Sequence, residues 1–114
     1  MRPISVGKNL TAEIKTTIYT VPSQHYATWG LLFISNQAGV NKHVSVWWYD
    51  KTANTEINII DEYPLTSSEF LKFDGEAYIV LEEGDEVRII TEAGSVMSCV
   101  NTFEIYPSTV SPLS

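Results

Sequence analysis

The sequence predicts an all-β fold: a single antiparallel β-sandwich, jelly-roll-like, with seven or eight strands. Apolar residues recur with a period of two along most of the chain, and no segment sustains the period of 3.6 that marks a helix. Turn-forming residues interrupt this pattern roughly every ten residues, which is typical of sandwiches and barrels. A closed barrel is the alternative architecture. The lack of strand–helix alternation argues against a parallel α/β fold.

Length and composition predict one domain with two extended ends. The chain has 114 residues, of which 44% are hydrophobic, and this is enough for one modest core. We expect the sandwich over residues 13–106. Residues 1–12 include Pro3 and show no sustained periodicity, so we expect an N-terminal arm there. Residues 107–114 include Pro107 and Pro112, which predict an extended C-terminal tail rather than a central strand.

The predicted strands are short runs enriched in aromatic and β-branched residues. The first is rich in Ile and Thr, and the second is apolar on both faces, as in a strand that is covered on both sides. The last is the longest. The strands are predicted over residues 13–21, 26–35, 43–50, 57–63, 69–73, 77–81, 86–91 and 95–106.

Glycine, proline and polar residues separate these strands. The segment 36–41 contains Gly39 and predicts a hairpin turn between the second and third strands. Asp-Gly at 74–75, the acidic segment 82–85 and Ala-Gly at 93–94 predict three further tight turns. The spacing of these turns is what favours a sandwich of short strands over a few long ones.

The charge balance disfavours two classes of partner. Seven basic and fourteen acidic residues give a net charge of −7. A surface for nucleic acid or for an anionic membrane needs clustered Lys and Arg, which this chain lacks. Charge is also uneven, because residues 1–55 are net basic and residues 56–104 strongly acidic. Such asymmetry suits a protein that docks one face on others, although acidic loops that maintain solubility explain it equally well.

Few residues suggest chemistry, and each has a simpler structural explanation. The acidic segment 82–86 could supply calcium ligands, but it lacks the alternating aspartates of a dedicated calcium loop. The carboxylate pairs at 61–62 and at 74 and 76 could belong to a glycosidase, but a domain of this size hardly builds a deep cleft as well as a core. We therefore expect neither catalysis nor a metal here.

The histidines and the cysteine do not form a recognisable site either. His25 and His43, with Cys99, are a thin ligand supply for zinc. The Gly-x-Ser-x-Gly motif of a nucleophile elbow does not occur. Cys99 lies in an apolar context and is predicted to be a small core residue. No catalytic residue, metal or cofactor is predicted.

The run Trp47-Trp48-Tyr49 is the most informative feature of the sequence. Neighbouring side chains of a strand point to opposite faces, so Trp48 is predicted to face the core while Trp47 and Tyr49 share the other face. These two aromatics could anchor a protein interface, pack within the chain or stack on sugar rings. The same three alternatives apply to Trp29 and Tyr26.

The order of several short motifs resembles a known family. They are Thr-Ile-Tyr-Thr-Val-Pro at 17–22, Ile-Ser-Asn at 34–36, Val-Ser-Val-Trp at 44–47, Phe-Asp-Gly at 73–75, Ile-Val-Leu-Glu-Glu-Gly-Asp-Glu-Val-Arg at 79–88 and Phe-Glu-Ile at 103–105. Together they resemble the small β-sandwich virion structural proteins of tailed bacteriophages, notably marine phages and cyanophages. Members of that family include capsid cement or decoration proteins and components of the neck, tail or fibres. The resemblance implies no catalytic residues.

The resemblance implies a non-enzymatic virion structural protein, and we expect a capsid decoration (cement) protein that bridges and stabilises capsid subunits. Its partners would be the major capsid protein or other virion proteins, and it would form a small homo-oligomer. One cysteine and the lack of a signal peptide suit assembly in the reducing host cytoplasm. A neck, tail or fibre-base component and a glycan-binding module for host adsorption are the alternatives. The candidate interface residues are Trp47, Tyr49, Trp29, Tyr26, Pro107 and Pro112.

Overall fold

A computed structural model describes residues 2–73 and 79–108, and within these ranges the chain forms nine strands and no helix. The predicted all-β class is confirmed. The strands are β1 (Arg2–Leu10), β2 (Thr16–Thr20), β3 (His25–Asn36), β4 (Lys42–Asp50), β5 (Thr55–Leu65), β6 (Phe70–Phe73), β7 (Ile79–Leu81), β8 (Glu86–Thr91) and β9 (Met97–Pro107).

Two antiparallel sheets pack face to face. In the first sheet the strand order is β1-β9-β3-β6, and β7 also pairs with β3. In the second sheet the order is β2-β8-β4-β5. The chain changes sheet at most of its connections, which is compatible with a jelly-roll-like sandwich. The strands β3 and β9 lie at the centre of the first sheet, and their side chains point alternately toward the core and toward the outer surface.

The N-terminal segment differs from its prediction as an arm. Residues Arg2–Leu10 form β1 and pair antiparallel with β9 along their whole length. Ile4 and Val6 pack against the core, and Leu10 is buried within it. Lys8 breaks the alternation of these apolar residues in the sequence, because it lies opposite Cys99 at the position between Val6 and Leu10. The sandwich therefore begins at residue 2 rather than at residue 13.

The C-terminal prediction falls partly on the described residues. Pro107 is the last residue of β9 and lies opposite His25, so it ends the strand. The amide of Ser108 donates to the carbonyl of Gln24 at 2.9 Å. Pro112 lies outside the described residues. The extended tail expected beyond residue 108 stays a prediction.

The core fills the space between the two sheets. Its largest fully buried side chains include Trp29 and Phe103 from the first sheet, with Val46 and Ile89 from the second. Trp29 is only 1% exposed, and its Nε1 donates to Asn101 Oδ1 at 2.9 Å. Trp29 is thus a core residue and not the interface residue that the sequence offered, because its indole is enclosed on all sides.

The connection between β3 and β4 also corrects the sequence analysis. Residues 36–41 cross from the first sheet to the second, so they do not form a hairpin. The buried side chain of Asn36 holds the crossing: its Nδ2 donates to the carbonyls of Val40, Leu65 and Thr66 at 3.0–3.2 Å. Its Oδ1 accepts from the Ala38 amide. The turns predicted at 82–85 and 93–94 are present, with Gly84 and Gly94 in the left-handed region. The turn predicted at 74–75 lies outside the described residues.

Candidate interaction surfaces

Each sheet presents an outer face, and the two faces differ in character. On the second sheet, Trp47 lies opposite Arg88 and Tyr49 opposite Glu86, while Trp48 lies opposite the buried Val87. The prediction that Trp47 and Tyr49 share a face, with Trp48 on the other, is therefore confirmed. Trp48 is partly buried and packs against the core.

Cations cover both aromatic rings of this face. The Nζ of Lys15 lies 4.0 Å from the centre of the Trp47 ring, and the guanidinium of Arg88 lies 4.1 Å from the centre of the Tyr49 ring. These distances are typical of cation–π contacts. Glu56 joins the two cations, because its carboxylate accepts from Lys15 at 2.9 Å and from Arg88 at 2.7 Å. We call these five residues the capped cluster.

Further bonds extend the capped cluster along the sheet. Glu86 accepts from Arg88 at 2.7 Å and from the Thr17 hydroxyl at 3.2 Å. The Tyr49 hydroxyl donates to Asn54 Oδ1 at 2.7 Å. The hydrogen bonds from Lys15 and Arg88 hold the pKa of Glu56 below its ordinary value. The rings of this face are therefore held in place by charge and are not open platforms.

The outer face of the first sheet is less charged and more apolar. Tyr26 stacks on Tyr106 with ring centres 4.9 Å apart, and Phe33 stacks on Phe70 at 5.1 Å. Phe70 is 59% exposed, a large fraction for a phenylalanine. We call this surface the apolar face; its outward residues on β3, β6, β7 and β9 are Tyr26, Thr28, Gly30, Leu31, Phe33, Ser35, Phe70, Lys72, Val80, Ser98, Val100, Thr102, Glu104 and Tyr106.

The sequence offers Tyr26 as a candidate interface residue but does not single out Phe33, Phe70 or Val100. The reason is an irregularity in β3. The register with β9 shifts between Trp29 and Leu31, so one extra residue reverses the alternation of inward and outward side chains. A strict period of two cannot be read across such a bulge. The available signal is that Phe70 and Lys72 are two residues apart and so share a strand face with a charged residue. The predicted strand 69–73 carries no assignment of which face points outward.

A notch interrupts the apolar face at Gly30. Its walls include Leu31, Thr102, Tyr106 and the carboxylate-bearing Glu104, and its volume is about 410 Å³. Gly30 is the extra residue of the bulge, and a Cβ built on it would meet no atom of the described residues within 4 Å. The missing side chain therefore leaves open space in the middle of the face.

The residues that the sequence analysis considered for metal binding make hydrogen bonds or ion pairs within the protein. Asp85, from the acidic segment considered for calcium, is fully buried and accepts hydrogen bonds from Trp48 and from two backbone amides. His43 lies 3.6 Å from the Glu92 carboxylate, and His25 Nδ1 contacts the carbonyl of Ser23. Over residues 2–73 and 79–108, no group of three or more His, Cys, Asp or Glu is placed to hold a metal ion.

Cys99 is the small core residue that the sequence predicts. It is 2% exposed on the inward side of β9. Burial raises the pKa of its thiol to about 11, so the thiol is protonated at neutral pH. In the same described ranges, no helix is long and apolar enough to cross a membrane.

Comparisons with known proteins show likeness in fold only. No family model matches the chain, and no curated protein matches it. A protein of the T13 IBDV viral particle is similar in structure, with a TM-score of 0.57 and 10% sequence identity. The likeness covers 94% of this chain, which spans about a third (32%) of the viral protein.

Two other solved structures are similar at lower scores. The globular domain of zebrafish complement 1qA protein has a TM-score of 0.49 and 16% identity, over 91% of this chain and 96% of that one. A protein of Bacillus endospore appendages, described as disulfide-linked pili, has a TM-score of 0.48 and 16% identity, over 94% and 86%.

Proposed function

We propose that this chain is a non-enzymatic structural protein of a virus particle, and within that class a decoration protein on the capsid of a tailed bacteriophage. In this role it binds the major capsid protein, bridges neighbouring subunits and resists the outward pressure of the packaged genome. The observation that carries the proposal is the likeness in fold to a protein of a viral particle, over nearly the whole chain. The order of the sequence motifs supports the phage assignment.

The face of the second sheet suits the binding of another virion protein. Trp47, Tyr49 and Arg88 lie together there, and these three residue types dominate the energetic centres of protein interfaces. The capped cluster holds their side chains in fixed positions before binding, which lowers the entropy lost when a partner docks. Under this proposal Trp47 and Tyr49 are the anchors, and the cations around them pair with carboxylates of the capsid surface.

The glycan-binding alternative receives less support from this face. A sugar ring stacks on an open aromatic face, whereas Lys15 and Arg88 already occupy one side of each ring. A sugar that stacks on the covered side of either ring would have to displace a cation that Glu56 also holds. Protein docking leaves these contacts in place.

Immunogold electron microscopy of particles in a host lysate tests the proposal. An antibody raised against the purified chain is expected to place gold over the particle heads. Gold confined to the neck or tail would replace the decoration role with a connector or fibre-base role, while keeping the virion class. Particles without label, in a lysate where the chain is abundant, would overturn the virion assignment.

A matched pair of variants then tests the docking face. Trp47→Ala is expected to reduce binding of the purified chain to undecorated heads at least tenfold in a co-sedimentation assay. The control, Val40→Ala, shortens an apolar side chain that lies in the connection between β3 and β4 and is 55% exposed. It is expected to bind as the unmodified chain does. Equal binding by the two variants would remove the second sheet from the docking role.

A further inference from the structure

The apolar face carries both a projecting side chain and a hole. Phe70 projects from β6 with 59% of its surface exposed, and it is supported from one side by Phe33. Among the described residues the notch at Gly30 is open, and it is lined by Leu31, Thr102, Tyr106 and the carboxylate-bearing Glu104. Phe70 pairs with Ser35, and Ser35 is about 15 Å along β3 from Gly30 at the usual rise of a strand. Phe70 therefore cannot fill the notch of its own chain.

We propose that a second copy of this chain docks on the apolar face, with Phe70 of each copy inserted into the Gly30 notch of the other. A two-fold axis that lies between Phe70 and the notch forms both contacts at once. In such an isologous interface, if Phe70 of one copy enters the notch of the second, Phe70 of the second enters the notch of the first. A surface that holds both halves of the contact is self-complementary. The inference specifies the homo-oligomer that the sequence resemblance implies, and it rests on the proposed function only for the role of the assembly.

The size of the face reaches the lower limit of what a specific dimer needs. Eleven residue pairs join β3 and β9, which makes the face about 36 Å long at the usual rise of a strand. The face is three strands wide, because β6 and β7 both pair with the edge of β3 away from β9, and this makes it roughly 14 Å wide. The product, roughly 500 Å² on each copy, gives about 1,000 Å² in total, the smallest area expected of a biological interface.

Charge also favours a second copy on this face. The chain carries a net charge of −7, so two copies repel each other over most approaches. Among the described outward residues of the apolar face, Lys72 and Glu104 are the charged ones, and their charges are opposite. Two copies that meet here bring no net charge together, whereas the capped cluster suits a charged partner.

The oligomeric state of the purified chain tests this dimer. At about 100 µM, where an interface with a micromolar Kd is nearly saturated, light scattering after size exclusion is expected to give the mass of two chains. Gly30→Leu fills the notch, and a Cβ there meets no atom of the described residues within 4 Å, so the variant is expected to fold and to be monomeric. Phe70→Lys removes the projection and is also expected to be monomeric.

Each variant has a matched control. Gly39→Leu makes the same change at a glycine whose Cβ would likewise meet no atom of the described residues within 4 Å, but in the connection 36–41 away from the face. Val40→Lys places a lysine at an apolar residue of the same connection that is 55% exposed. Both controls are expected to remain dimeric, and circular dichroism of all four variants reports whether they fold.

Three results would overturn the dimer: a monomeric unmodified chain at that concentration, a dimer that survives Gly30→Leu, or a mass of three or more chains. If Phe70→Lys fails to fold, Gly30→Leu decides alone. These outcomes are separate from the gold labelling of particles. A labelled particle with a monomeric chain removes the dimer alone, and a dimer without labelled particles removes the virion role alone.

Discussion

The indole of Trp48 donates a hydrogen bond of 3.1 Å to the carboxylate of Asp85, a residue that is completely buried. The same carboxylate accepts from the backbone amides of Lys51 at 3.0 Å and Glu82 at 2.9 Å. One side chain thus joins the end of β4 to the turn between β7 and β8, which lie in different sheets. A buried carboxylate is tolerated here because hydrogen-bond donors surround it.

Asp85→Ala is expected to destabilise the chain by about 3 kcal/mol, because three partly buried donors lose their acceptor together. Asp85→Asn keeps the shape of the side chain but replaces one acceptor oxygen by an NH2 group, which then faces one of these donors. An intermediate loss of stability is therefore expected. Urea denaturation measures both. The control is Glu82→Ala in the same turn. It removes an exposed side chain and leaves the backbone amide of residue 82 bonded to Asp85. A loss for Asp85→Ala as small as for this control would refute the role.

We expect Asn36 to stabilise the crossing between β3 and β4 as much as Asp85 stabilises the contact between β4 and the turn before β8. Its amide makes four hydrogen bonds to backbone groups around residues 36–41 and the end of β5. Asn36→Ala is expected to cost about 2–4 kcal/mol of unfolding free energy, because those buried groups lose their partner. The neighbouring Gln37→Ala, which removes an exposed amide with long contacts of 3.4 and 3.5 Å, is expected to change stability little. Equal effects of the two variants in thermal denaturation would contradict this.

The capped cluster is expected to make stability depend on pH in the acidic range. Lys15 and Arg88 lower the pKa of Glu56 in the folded state from the ordinary value of 4.5. A lowered carboxylate pKa contributes stability that is complete above pH 4.5 and is lost as pH falls through the folded pKa. The contribution is expected to be no more than about 1 kcal/mol, because the pairs are partly exposed.

Glu56→Gln removes this titration, so its urea midpoint is expected to fall less than that of the unmodified chain between pH 7 and pH 3. Asp61→Asn serves as the control, because it removes an exposed carboxylate on the same strand that has no hydrogen bond or ion pair in the described structure. This variant is expected to follow the unmodified chain. A pH dependence unchanged in Glu56→Gln would show that the cluster is not linked to folding.

Sugars are expected to leave the fluorescence of Trp47 unchanged. Lys15 covers one side of its ring and Glu56 holds that lysine, so a sugar has to compete with both contacts. Titration of the chain with a panel of sugars measures the tryptophan emission. A shift that disappears in Trp47→Ala, while Val40→Ala retains it, would favour glycan binding instead.

Local alternation was enough to predict part of the candidate site. Trp47, Trp48 and Tyr49 are consecutive in a regular strand, so their facing follows from strand geometry alone. The same reasoning failed in β3, because the bulge at Gly30 reverses the alternation and places Trp29 in the core and Phe33 outside. A bulge depends on the pairing with β9, about seventy residues away, and leaves no local pattern.

The sequence by itself determined the all-β class, because a period of two with frequent turns is typical of antiparallel sheets, whether these form a sandwich or a barrel. It also determined that Cys99 belongs to the core. Only the tertiary structure decided that Arg2–Leu10 is a strand, that residues 36–41 cross between the sheets, and that Phe70 and Gly30 share one face. Each of these depends on contacts between residues far apart in the chain, which the pattern of neighbouring residues does not encode.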